Sequence, residues 1–181
     1  MNPEQAEIAI RAAQTDDIPA LHALIESAYR GDAARAGWTH EADLLGGQRI
    51  DLEGLADILA DPDQYLLIAT RADGTAAGCV EVTDKTPGLA YLGMLSVTPH
   101  GQAQGLGKRL ISAAEQFARD QLGAARMEMT VIRQRSELIS YYVRRGYQLT
   151  GEERPFPYGD ARFGAPRTDD LAFVVLARAL T

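Results

Sequence analysis

The residues best suited to chemistry fall in one run: Leu92-Gly93-Met94-Leu95-Ser96-Val97-Thr98-Pro99-His100-Gly101-Gln102-Ala103-Gln104-Gly105-Leu106-Gly107-Lys108-Arg109-Leu110. Gly105 and Gly107, spaced one apart, let the backbone approach a ligand with no Cβ in the way. A helical pattern begins there, and a helix start offers unpaired N–H donors and the positive end of the macrodipole. Lys108 and Arg109 add positive charge in the first turn, where a helix with no anion nearby favours Asp or Glu. The chemistry is that of a pyrophosphate cradle. It is not a Walker loop, because the Gly-x-x-x-x-Gly-Lys-Ser/Thr spacing is missing. Nor is it a dinucleotide fingerprint, because the strands before it are linked by hairpins rather than in βαβ units. Glycines at a helix start are often turn residues only, so the whole run from Val97 to Gly107 carries the signal.

The elements that must hold this run can be read from periodicity. Glu7–Arg11 alternates as a short first strand. Thr15-Asp16-Asp17 offers a helix cap ahead of Ile18, Leu21, Leu24, Ile25 and Ala28 at helical spacing. Tyr29–Arg49 is weakly patterned, and Asp51–Leu59 reads as a short helix stopped by Asp61-Pro62. Tyr65–Thr70, Ala77–Thr83 and Leu89–Val97 read as strands joined by the Ala72-Asp73-Gly74 and Pro87-Gly88 turns, an antiparallel meander. Gly105–Leu122 is a strong amphipathic helix with Gly123 after its end, and Arg126–Ile132 is a strand. Ser136–Arg145 is a helix closed by Gly146, Tyr147–Thr150 begins a strand, and Leu171–Leu180 closes a last hairpin across a long connection. The order predicts an α+β domain with a mixed sheet.

Composition excludes several classes. With 46% hydrophobic and 24% charged residues the chain is too apolar for disorder. A lone cysteine, Cys79, rules out a disulfide framework and a multi-cysteine zinc site. A net charge of −7 argues against nonspecific nucleic-acid binding. No apolar run is long enough for a membrane span, and Met1-Asn2-Pro3-Glu4-Gln5 lacks a secretory pattern, so a cytoplasmic location is expected. Residues 1–90 carry −10 and residues 91–181 carry +3. That asymmetry suits a polyanionic ligand on one half and a cationic one on the other, or is plain solvated charge.

The pattern Val97-x-Pro99-x-x-Gln102-x-x-Gly105-x-Gly107, after a strand and before an amphipathic helix, closely resembles the acyl-coenzyme A signature of the GNAT superfamily of N-acyltransferases. Tyr141-Tyr142-Val143-Arg144-Arg145-Gly146-Tyr147 resembles that family's Phe-Tyr-x-x-x-Gly-Phe segment, with the tyrosine on Tyr142. The resemblance covers roughly Ile8 to Leu180 and implies a single N-acetyltransferase domain over residues 1–181. It implies the GNAT fold, with a mostly antiparallel sheet splayed between its fourth and fifth strands and helices flanking it. It implies acetyl-CoA as acyl donor, attacked directly by an amine in a ternary complex. The backbone of Gln102, Ala103, Gln104, Gly105, Leu106, Gly107 and Lys108 would hold the pyrophosphate. Leu95, Ser96 and Val97 would line the pantetheine arm, with an N–H near Leu95 polarising the thioester carbonyl.

By the same resemblance Tyr142 protonates the departing thiolate, whereas read alone it is equally an amphipathic core residue. Tyr141 is expected to pack. For the base, Glu81 and Glu128 are the candidates; Glu81, alternating with Val80 and Val82, is preferred, and it reads equally as a solvent-facing strand carboxylate. His40 and His100 lie in loop contexts. Many relatives carry Asn where this chain has Arg135, and the Arg133-Gln134-Arg135 run suits a phosphate, an acidic acceptor or a solvated helix start. The acceptor would be chosen by Tyr29–Arg49 and Arg154–Arg167, with Glu41, Asp43 or Asp160 meeting a cation. Trp38, Phe156, Tyr158 and Phe163 either wall its pocket or, the reading slightly favoured for each, anchor loops to the core, and the acidic half favours a cationic amine. The alternative is a non-catalytic CoA-binding regulatory module on the same fold. Relatives commonly form homodimers, but nothing in the sequence demands one.

Overall fold

The computed structural model describes residues 7–29, 45–46, 49–98, 105–160 and 165–181. In chain order the elements are β1 (Ala9–Ala12), a 3-10 turn (Thr15–Asp17), α1 (Ile18–Tyr29), β2 (Leu45–Gly46), α2 (Leu52–Ala60), β3 (Gln64–Thr70), β4 (Ala76–Thr86) and β5 (Leu89–Val97). Then come α3 (Leu106–Leu122), β6 (Arg126–Ile132), α4 (Ser136–Arg144), β7 (Gln148–Pro155), β8 (Ala165–Pro166) and β9 (Ala172–Ala179). Local chemistry accounts for several boundaries. Asp51 caps α2 by accepting the Gly54 N–H at 2.6 Å, and Gly123 ends α3 in the left-handed region at φ +66°. At the 3-10 turn the cap position is Gln14 rather than Thr15. Its N–H donates to the Asp17 carboxylate, which the Arg11 guanidinium also holds.

Seven strands form one sheet in the order β1-β3-β4-β5-β6-β9-β7, and β2 pairs with β8 in a separate two-residue bridge. Every neighbouring pair in the large sheet is antiparallel except β5 and β6, which run parallel because α3 carries the chain back across the sheet between them. These two are the fourth and fifth strands of that sheet. Their pairing is confined to Leu89–Tyr91 against Arg126–Glu128.

Strand alternation divides the core between the two faces. On one face α3 and α4 cover Val80, Val82, Leu92, Leu95, Met127, Met129 and Leu176. On the other α1 and α2 cover Leu66, Ile68, Cys79 and Met94. Two expectations need adjusting. β7 starts at Gln148 and runs to Pro155, further than Thr150, while Tyr147 is fully buried beneath it. Within it Thr150–Glu152 is an irregularity in the pairing with β9, with Gly151 at φ +85°, and regular pairing resumes at Glu153. The β2–β8 bridge was not anticipated. It stitches together the two poorly patterned segments expected to choose the acceptor. Among the described residues no helix is long and apolar enough to cross a membrane.

Candidate active site

The site begins with an extra residue in β5. Cys79 lies opposite Ser96 and Glu81 opposite Gly93, so Met94 and Leu95 together face Val80. This is a β-bulge, and Met94 has φ +47°, the one positive φ among the described non-glycine residues. Such a conformation costs about 1–3 kcal/mol. Burying a methionine side chain stabilises by roughly 1.5–3 kcal/mol, and Met94 is 9% exposed among the α1–α2 apolar residues. Burial therefore balances the strain. The bulge also reverses the alternation. Ala90 and Leu92 face α3, and so do Leu95 and Val97, while Met94 points the other way.

Past Tyr91 the strands β5 and β6 are no longer paired. The Tyr91 hydroxyl and Thr130 Oγ1 share a hydrogen bond of 2.5 Å that closes the apex of the wedge. A cavity of about 330 Å³ occupies the wedge and is lined from both faces of the sheet. Glu81, Gly93 and Met94 border it from the α1–α2 face, and Leu95, Leu138 and Tyr142 from the α3–α4 face. The two residues proposed for proton transfer thus share one cavity although 61 positions separate them.

Burial pushes the Glu81 carboxyl above its ordinary range. The hydrogen bond from Thr83 Oγ1 (3.0 Å) and the charges of Arg49 and Lys85 pull it back in part. Gly93 keeps that carboxylate accessible, since a Cβ there would stand 3.5 Å from Glu81 Oε2. Glu128, the other candidate base, is 8% exposed and accepts from Arg154 Nη2 at 3.1 Å, and it does not border the cavity.

Tyr142 is 5% exposed, with its ring edge-on to Tyr141 (5.5 Å) and to Tyr147 (6.1 Å). Tyr147 anchors this end of α4 by donating to Glu115 Oε1 at 2.9 Å. Arg178 meets both oxygens of the same carboxylate at 3.2 Å and the Arg145 carbonyl at 2.8 Å. Burial first, and then the Glu115 charge, push the Tyr147 hydroxyl far up, so it stays a donor. Gly146 sits at φ +97° under Arg178, where a Cβ would be 3.2 Å from Nε.

Of the cradle residues, Gln102, Ala103 and Gln104 lie outside the described residues, as do Trp38, His40, Glu41, Asp43, His100 and Phe163. Gly105 caps α3 at φ +75°, with open space where a side chain would stand. The second glycine has a packing reason as well. Gly107 is buried against the neighbouring helix, and a Cβ on it would lie 2.8 Å from Tyr141 Oη. Leu106 is 1% exposed in the core, so only its backbone can face a ligand. Ser96 is fully buried and donates to the Met94 carbonyl at 3.1 Å. Lys108 is exposed, whereas Arg109 donates to the Ile8 carbonyl at 3.0 Å and ties α3 to the start of the chain. A second cavity, about 420 Å³, lies along Ser136, Ser140, Tyr141 and Arg144 and adjoins the α3 start through Tyr141.

The Arg133-Gln134-Arg135 run divides. Arg133 and Gln134 both donate to the Asp170 carbonyl (3.2 and 2.9 Å), and Arg135 borders the wedge. Sequence reasoning missed Arg49, which also borders it from a segment without periodicity.

The Acetyltransferase (GNAT) family profile matches residues 19–147, well over half of the chain. The protein belongs to the GNAT family of acetyltransferases. Solved structures agree on the fold. A mutant of the Vibrio cholerae spermidine N-acetyltransferase is 13% identical, with 97% of this chain and 95% of that one covered and a TM-score of 0.69. The ribosomal-protein-S18-alanine N-acetyltransferase of Escherichia coli is 17% identical, with 96% and 94% covered and a TM-score of 0.69. No curated protein sequence matches the chain. The splayed, mixed sheet of this GNAT protein is thus its family's fold.

Proposed function

We propose that this GNAT protein is an acetyl-CoA-dependent N-acetyltransferase, one catalytic domain over residues 1–181 that brings donor and amine together in a ternary complex. The observation that carries the reading is the wedge opened by the Met94 bulge, with Glu81 reaching it from one face and Tyr142 from the other.

The residues fit the donor. Gly105 presents the α3 N-terminus without a side chain in the way, and the cavity beside α4 continues from it. Bound there, acetyl-CoA supplies an activated acyl group on sulfur. An alkyl amine, with a pKa of about 10, reaches the site mostly protonated and must lose a proton before it can attack. Glu81 takes that proton, directly or through water. Its raised pKa makes it a better base than a solvated carboxylate. Tyr142 gives a proton to sulfur as the C–S bond breaks, and the second proton that the nitrogen sheds on becoming an amide returns through water to the Tyr142 phenolate, so that amide and free thiol leave neutral.

The test pairs heat stability with thiol release. Acetyl-CoA should raise the Tm of the purified protein, and some amines should release free CoA. Tyr142→Phe should lower kcat by roughly 10²- to 10⁴-fold while leaving acetyl-CoA affinity nearly unchanged. Tight cofactor binding without thiol release across a broad amine panel would point instead to a regulatory CoA-binding module.

A further inference from the structure

The chain carries a net charge of −7, yet among the described residues lining its central cleft there are two guanidinium groups, Arg49 and Arg135, and one carboxylate, Glu81. Both arginines have their backbone N–H groups anchored. Arg49 follows β2, and its N–H donates to Glu26 Oε1 of α1 at 2.5 Å, as does the Ile50 N–H at 3.0 Å. One carboxylate thus grips two successive amides and fixes where the Arg49 side chain departs. Arg135 starts α4, with its N–H on the Ile132 carbonyl at 2.9 Å.

The two arginines serve different ends of the cleft. Arg49 lies close enough to Glu81 to act on its charge, which puts it with the amine on the α1–α2 side. Arg135 stands at the head of the helix that carries Leu138 and Tyr142. A polyamine entering beside Glu81 would meet a like charge at Arg49. An amine that also bears a carboxylate would meet a planar fork of donors matched to that group.

We propose that the acceptor is a carboxylate-bearing amine, an amino acid or a short peptide, whose carboxylate is read by Arg49 while its amine lies beside Glu81. This rests on the transferase reading above and narrows it. Among the described residues the cleft lining carries more positive than negative charge, whatever the sum over the acidic half of the chain. At about 330 Å³ the cleft is near the small end of ligand sites, which suits a small acceptor.

The experiment uses matched acceptors: ω-amino acids from glycine to 6-aminohexanoate and short peptides, each against its carboxamide, together with spermidine. Thiol release gives kcat/KM, and calorimetry on the acetyl-CoA complex of the catalytically slowed Tyr142→Phe protein gives binding without turnover. The carboxylate member of at least one pair should be preferred by about tenfold to a hundredfold, the range of a charge-assisted hydrogen bond. Arg49→Gln should erase that preference in both readouts, and Arg49→Lys should keep part of it. Equal use of acid and amide, a preference for amide or spermidine, or an unchanged preference in Arg49→Gln overturns the inference alone. Absence of thiol release with every amine overturns the transferase reading and this inference with it.

Discussion

Leu89–Leu92 and Gly93–Val97 are halves of one strand with similar apolar content. The first half is paired with β4 on one side and with β6 on the other as far as Tyr91, and it alternates regularly. The second half contains the extra residue, leaves β6 and borders a cavity. What separates the halves is one residue, Met94, whose burial beneath α1 and α2 balances a strained backbone. The closed half is held by the Tyr91–Thr130 bond, and the open half leaves room between Glu81 and Tyr142.

Deleting Met94 should break the comparison outright. Leu95 and Val97 would keep facing α3 in a regular strand, and β5 could then pair with β6 along its length. Lost methionine burial and released strain are of similar size, about 1–3 kcal/mol each, so the Tm should stay near that of the parent. Activity should fall below detection and acetyl-CoA should no longer stabilise the protein. A deletion variant that still turns over would separate the bulge from the wedge.

Glu81→Gln tests the open half with a smaller effect. Loss of the base should lower kcat/KM by roughly 10²-fold or more and remove the acidic limb of the pH–rate profile, because Glu81 works only once it has lost its proton. Stability should move the other way. Burial raises the folded pKa of Glu81, so its charged form penalises folding above that pKa, and the penalty vanishes below the unfolded value. Glu81→Gln should therefore raise the Tm at neutral pH, with the gain shrinking as the pH falls into the ordinary carboxylate range.

Tyr91→Phe sharpens the closed half. Losing its bond to Thr130 should cost about 1 kcal/mol, a drop in Tm of roughly 2–4 °C for a domain of this size, with kcat affected less than stability. The smallest effect is expected at Cys79, which lies on β4 opposite Ser96. Burial pushes its thiol up to about 12. In the folded protein it should not react with a thiol reagent at pH 8 over the time of an assay, and it should titrate as one thiol in denaturant.

Much of the fold was legible because its signals are local. The meander, α3 with its glycine ends, β6 and α4 each declare themselves by spacing, and all fall within a few residues of where periodicity puts them. β7 was legible only in part, since the irregularity at Thr150–Glu152 interrupts it and Glu153–Pro155 is a strand through its pairing with β9. At the site, Tyr142 and Glu81 could be named from their neighbours in the chain, but no local pattern announces that they border one cavity. Arg49 left no mark, because its position depends on a carboxylate of α1 gripping the backbone 23 residues on.

By itself the sequence determined the order of the elements, the glycine-capped start of α3 and the candidate acid and base. Helical and strand periods, caps and turns are set by residues within about one turn of each other. Tertiary structure alone decided that Gly107 makes room for Tyr141, that Glu81 and not Glu128 borders the wedge, and that the wedge carries two arginines. Those outcomes depend on which groups packing brings together and which charges it removes from water, and neither is encoded at any single position.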